Sequence, residues 1–371
     1  MSCPYYHPDK QHRYLRLLRY ARIHDDHEDS ETQLANSELL FNDLESLSSN
    51  FQSEIRPFLP LIYRKAVKTG VFSQLSLEAQ SLLKNRALQL IATDLANKHC
   101  LAGQFPKFAK EKIPIILLKG AAFSNNLYPD NFPRIGCDID FLVREDDFQK
   151  ACTLMEETMR PVVIDSKRLA THETLFERVF TPRKGFGPPV EIHRGLTNPH
   201  IFNIDPQSMW EASRRHPEYD SEFIRILSSE DTLLHLAVHA FRDLDFCNHN
   251  LLDAHEVWLQ WQPDHDKLIA LAKDWGAQKV LYYLLSNCKT IIGTPCPEEL
   301  FDSIAPGQNV DLINKRILQS QILRNARSSK SSSYRAIQLL GQMTFPDRIR
   351  QGIKYQLHYV QTRLKDLYTS A

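Results

Sequence analysis

Three short stretches with a strand pattern, IPIILL at 113–118, DIDFLV at 138–143 and PVEIH at 189–193, interrupt a chain whose apolar spacing is otherwise helical. They constrain the fold strongly, because strands need neighbours to satisfy their backbone and amphipathic helices need an apolar surface to cover. An α+β protein is expected, with helices before and after a small sheet. PVVID at 161–165 and RVFTP at 178–182 are further strand candidates, and DDFQKACTLMEET predicts a helix from Asp146 to Thr158. The chain divides by pattern into a polar tail over 1–30, a helical region over 31–112 punctuated by Pro57 and Pro60, an α/β core over 113–228, and a helical region over 229–371. Ser228 or Ser229 can cap the first helix of that last region, with Glu230 and Asp231 suited to its dipole.

The chemistry concentrates on the strands. Successive side chains on a strand alternate between faces, so Asp138 and Asp140 project together while Ile139 and Phe141 point the other way. Paired carboxylates suit a hard divalent cation such as Mg²⁺, which is commonly held by one or two acids plus the phosphates of a substrate; the same pattern also describes a solvated strand face. Upstream, the apolar run ends in Lys119 and Gly120 and continues as AAFSNNLYP, which reads as strand, turn and short helix. Glycine there lets a backbone approach a ligand, and the first amides of a helix favour a phosphate. Lys119 and Arg134 add cations. In PVEIH, Glu191 and His193 share one face, and Glu191 is placed to be a third acid that completes a metal site or accepts a proton.

Taken together, these segments resemble the nucleotidyltransferase superfamily. They are most similar to the family of uncharacterised nucleotidyltransferases, with its LKGxxxxxxxYP, R-x-x-x-D-x-D-x-L-V and acid-x-His segments, here at Leu118 to Pro129, Arg134 to Val143, and Glu191 with His193. The resemblance covers roughly residues 35 to 260. It implies a small mixed β-sheet nucleotidyltransferase core flanked by the two helical regions. It also implies Asp138, Asp140 and Glu191 as catalytic and metal-binding residues, Lys119, Gly120, Ala121 and Arg134 as nucleotide-binding residues, and Mg²⁺ or Mn²⁺ as cofactor. The implied reaction moves a nucleoside monophosphate from an NTP such as ATP to an acceptor hydroxyl, with release of pyrophosphate. Ala121 stands where many superfamily members have a second glycine or a serine, and Glu191 where an aspartate is frequent. A nucleotide-binding or protein-interaction module without catalysis is the alternative on the same fold.

Composition narrows the partners. The 371 residues carry 45 basic and 45 acidic side chains, so no global field announces a polyanion. The segment from Val310 onward is different, with a net charge of +8 and interleaved tyrosines, and it is a candidate surface for RNA; a solvated helix pair reads the same way. RNA, a protein or peptide, and a small metabolite all remain open as acceptors. The first residues lack the apolar stretch of a secretion signal and no apolar run is long enough to span a bilayer, so a cytoplasmic protein with no membrane partner is expected. Seven scattered cysteines without a C-x-x-C pair suggest neither a disulfide framework nor a zinc ribbon. His235 and His239 share a helix face, but without the H-E-x-x-H glutamate they read as core histidines or, with Arg242 or Asp253, as part of a cleft wall.

Overall fold

A computed structural model describes residues 8–23, 30–47, 55–124, 126–128, 134–136, 138–162, 176–183, 187–197, 200–242, 244–318 and 332–369. The strand-patterned stretches become β1 (Ile115–Leu117), β2 (Ile139–Val143) and β5 (Val190–His193), and they lie side by side at the centre of one sheet. Around them are β3 (Met159–Pro161), β4 (Glu177–Pro182), β6 (Arg214–Arg215) and β7 (Ile224–Ile226), in the order β3-β4-β5-β2-β1-β7-β6. The pairs β1/β7 and β2/β5 are parallel and the other neighbours antiparallel, so the sheet is mixed. β6 and β7 are too short for periodicity to reveal; IRI is a strand because its backbone completes the far edge of β1 and its two isoleucines are buried. Of PVVID, only Pro161 belongs to β3, and residues 163–165 lie outside the described residues.

The helices before the sheet are α1 (Pro8–Tyr20), α2 (Ser30–Glu45), α3 (Leu59–Lys68), α4 (Leu77–Ala102) and α5 (Phe105–Lys110). Pro57 and Pro60 sit at the openings of a 3₁₀ turn and of α3, where a missing N–H costs nothing. Within the polar first 30 residues, α1 is anchored: Leu17 and Leu18 are fully buried, and Arg16 makes a two-pronged contact with Asp43 at 2.7 and 3.0 Å. One sheet face, bearing Phe141, Ile192 and Phe180, is apolar; Phe108 of α5 meets Phe141 edge-on at 5.2 Å. Between strands run α6 (Lys119–Phe123), α7 (Phe148–Glu156) and α8 (Pro206–Ala212). α7 is shorter than its predicted span because Glu145–Asp147 form a separate 3₁₀ turn.

The rest is helical: α9 (Ser229–Arg242), α10 (Asn250–Trp261), α11 (His265–Trp275), α12 (Gln278–Asn287), α13 (Glu298–Ile304), α14 (Gln308–Leu318), α15 (Ser332–Thr344) and α16 (Ile349–Thr369). α9 is buried almost all round, which makes it the central helix of this region, in contact with α10, α11 and α12. A continuous apolar core joins these helices to the sheet and to α1 and α3. Among the described residues, no helix is long and apolar enough to cross a membrane. In the basic C-terminal segment Asp311 pairs with Lys315 at 2.7 Å and Asp347 accepts the amides of Gln278 and Lys279. Arg324, Arg327 and Lys330 lie outside the described residues.

Candidate active site

The register between β2 and β5 sets Asp140 directly beside Glu191, and Leu142 beside His193, so both acids and the imidazole share one face. Glu177 of β4 stands opposite His193 on that same face. The resulting cluster is tight. One carboxylate oxygen each from Asp140 and Glu191 and a ring nitrogen of His193 lie within 4.8 Å of one another. His193 Nε2 is 3.4 Å from Asp140 and 3.7 Å from Glu191, and its Nδ1 is 3.4 Å from Glu177. Asp138 precedes β2 by one residue and is more open to solvent than Asp140.

Electrostatics separates the acids. Burial works against ionisation of Asp140, yet Lys119, at 2.9 Å, and His193 together hold its carboxyl well below the usual range. At Glu191 burial and then the charges of Asp140, Glu177 and Asp138 outweigh the opposing pull of Lys119 and push the carboxyl up to about 8. Partial desolvation and Asp140 also raise Asp138. Two acids with an imidazole, their ligand atoms gathered within 4.8 Å, supply oxygen and nitrogen donors for a divalent cation. The residues present therefore fit such a group.

Lys119 opens α6 in the left-handed region, at φ 44°, a conformation that costs a non-glycine residue about 1–2 kcal/mol. That turn carries the chain out of β1 and aims the ammonium at Asp140. Gly120 follows with an ordinary φ and serves close approach instead: a Cβ there would stand 2.8 Å from Nη1 of Arg134. Ala121 is half-buried against the core.

Arg134 is turned inward. Its Nε and Nη2 donate to Asp253 of α10 at 3.2 and 2.7 Å, Tyr128 donates to the same carboxylate at 2.9 Å, and Asp253 is completely buried. The next residue, Ile135, donates its amide to the Pro57 carbonyl at 3.0 Å. The approach to the D-x-D pair is thus tied to the helical regions on both sides of the core. Sequence reasoning singled out Arg134 as a cation; it placed Asp253 only in a possible cleft wall and passed over Tyr128 and Glu177. A signal for Asp253 existed, since an arginine that must be buried needs an acid.

A small pocket lies next to Lys119 and His193. It is lined by Lys119 and His193 from the sheet side, by Thr197 and Leu196, and by His235, His239 and Arg242 from α9. Burial, with Lys119 next for both, keeps His235 and His239 well below the ordinary imidazole range, hence neutral. Nε2 of His239 faces Nη2 of Arg242 at 3.4 Å, while its Nδ1 is buried with no hydrogen-bond partner. A buried polar group left unsatisfied costs about 1–3 kcal/mol. Among the described residues the histidines of α9 gather no carboxylate or thiol partners for zinc; the candidate metal group is Asp140, Glu191 and His193.

No curated protein and no solved structure matches the chain. A family model does, over residues 57–293, which take in the whole sheet, the acid cluster and the helices α9 to α12. Since that match covers well over half of the sequence and contains every residue of the site described above, the chain belongs to the family of uncharacterised nucleotidyltransferases.

Proposed function

We propose that the protein transfers a nucleoside monophosphate from an NTP to an acceptor hydroxyl in a reaction that needs Mg²⁺ or Mn²⁺. The observation that carries this reading is the cross-strand cluster of Asp140, Glu191 and His193, with Asp138 adjoining, on one face of the sheet. A divalent cation bound there screens the charge of the triphosphate and lowers the pKa of the acceptor hydroxyl.

The chain's own groups do the rest. Asp140 and Glu191 hold the cation, with His193 bracing both carboxylates, and Asp138 supplies further charge at the open side. Lys119, beside the Asp140 carboxylate, would offer its ammonium to the phosphates. The acceptor oxygen bonds to the α-phosphorus as the bond from that phosphorus to the bridging oxygen breaks, and the electron pair leaves with pyrophosphate. The acceptor's proton passes to the Glu191 carboxylate.

The direct test incubates the protein with Mg²⁺ or Mn²⁺ and each α-labelled NTP, in the presence of RNA, of cellular protein and of a metabolite extract in turn. We expect label in one fraction, and its loss in Asp140→Asn and Glu191→Gln variants that keep the wild-type melting profile. NTP binding that ignores divalent cations, with no label in any fraction, would mean a binding module without catalysis and end the proposal.

A further inference from the structure

We infer that the cation of this site is held partly through nitrogen: His193 is a ligand beside Asp140 and Glu191, Glu177 positions its ring, and the site prefers a first-row transition ion such as Mn²⁺ to Mg²⁺. This rests on the nucleotidyl-transfer reading above and says which of its two ions the site is built for. Three observations carry it. First, the imidazole stands where a ligand should. Nε2 of His193 is 3.4 Å from Asp140 Oδ1 and 3.7 Å from Glu191 Oε2, and the ligand atoms of the three residues lie within 4.8 Å of one another. Neighbouring ligands of one ion bound at about 2.1 Å stand about 3.0–3.4 Å apart, so small side-chain adjustments close these three on a common cation. Lys119 does not contest the place, because its ammonium contacts the other oxygen of Asp140, Oδ2. Among the described residues it is His193, and not the exposed Asp138, whose ligand atom converges with those of Asp140 and Glu191.

Second, the ring is set from behind. Strand register puts Glu177 opposite His193, and Glu177 Oε2 faces Nδ1 at 3.4 Å. A carboxylate at Nδ1 favours the tautomer that carries its proton there, which leaves the Nε2 lone pair turned to the acids. Carboxylate, imidazole and cation in line are the arrangement that commonly orients a metal-binding histidine.

Third, the donor set and its burial select the ion. Asp140 is 2% exposed and His193 5%, so a cation there gives up water on their side. Mg²⁺ dehydrates reluctantly and takes oxygen ligands, whereas imidazole suits the transition ions.

The experiment titrates the full chain with Mn²⁺ and with Mg²⁺ by calorimetry, and records pulsed EPR of the Mn²⁺ complex, in which a nitrogen bound to the ion gives a hyperfine coupling. We expect that coupling in the wild type and its loss in His193→Gln. The same variant should weaken Mn²⁺ binding by about tenfold or more and Mg²⁺ binding far less, so that the ratio of the two affinities collapses. Glu177→Leu should weaken Mn²⁺ about tenfold and alter the nitrogen coupling, while Glu177→Gln, whose carbonyl can still accept the Nδ1 proton, keeps most of both. The wild-type spectrum decides the ligand even where a variant fails to fold. A wild-type spectrum without nitrogen coupling overturns the inference, as does a Mn²⁺ to Mg²⁺ affinity ratio that is the same in wild type and His193→Gln. Mn²⁺ held through nitrogen, with no transfer of label from any NTP, leaves the metal centre standing and removes the nucleotidyl-transfer reading. Transfer of label with Mn²⁺ bound by oxygen alone does the reverse.

Discussion

Arg134 and Asp253 are 119 residues apart in the chain and 2.7 Å apart in space, with the aspartate fully buried and the arginine nearly so. Breaking such a pair from one side leaves a charge without a partner in a dry environment, which costs about 3–5 kcal/mol. We therefore expect Asp253→Ala to lose that much in urea denaturation, and Arg134→Met combined with Asp253→Leu to recover most of it. A double variant no more stable than Asp253→Ala would show that the pair is not what holds α10 to the loop. Gly120→Ala belongs to the same cluster. Its methyl would press on a guanidinium pinned by Asp253, and we expect a loss of about 1–3 kcal/mol, read as an earlier thermal transition. The sequence displayed Arg134 and Gly120 because both sit in a recognisable pattern. It gave no hint that they touch, since contact between them depends on how the loop before β2 folds back over α6.

At the scale of elements, α9 shows how a helix can be legible at its end and opaque along its length. Ser228 caps it as the sequence suggests: its hydroxyl accepts the Asp231 amide at 3.0 Å and donates to the Asp231 carboxylate at 2.6 Å. Glu230 is engaged elsewhere, pairing with Lys267 at 3.0 Å and accepting the Asp264 amide. Burial pushes Asp231 up to about 6, above its ordinary 3.8, with Ser228 and Lys267 only partly opposing this. Between those values the unfolded chain gives up a proton that the folded one retains, so stability falls as pH rises from about 4 through 6 and stays lower above. Asp231→Asn removes that penalty. We expect it to gain up to about 3 kcal/mol at pH 8 and nothing at pH 3, in melts across pH; an equal gain at both would rule out titration as the cause.

The crossing of α15 with α16 is similarly demanding. A Cβ on Gly352 would stand 2.9 Å from Met343 Cα and closer still to the Gln342 carbonyl, backbone that no side-chain rotation can clear. Gly352→Ala should separate the pair and cost about 2 kcal/mol or more in thermal denaturation.

For the whole molecule, the metal site is the natural probe. A ligand that binds only the folded state stabilises it by about 2.7 kcal/mol at a hundred times its Kd, so Mn²⁺ should raise the melting temperature of the wild type and leave Asp140→Asn unmoved. Because a metal needs Glu191 ionised and burial among acids holds that group at about 8, binding near pH 7 should release a proton, and affinity should climb with pH until about 8. Calorimetry in buffers of different ionisation enthalpy measures that release. The C-terminal region teaches the opposite lesson about legibility. Its charge reads plainly from composition, yet the structure also turns outward Ile349, Ile353, Leu357, Val360 and Leu364 of α16, an apolar row that a count of charges does not see. By itself, the sequence determined that a sheet would carry the acids, that Asp138, Asp140 and Glu191 would be the ones to consider, and which family the pattern belongs to, because strand alternation and motif spacing are local properties of the chain. Only the tertiary structure decided the register that sets Asp140 beside Glu191, the withdrawal of Arg134 onto Asp253, and the approach of His239 and Arg242 to Lys119. Each of these joins residues far apart along the chain, and their distances are set by how helices and strands pack around one core, which no local pattern encodes.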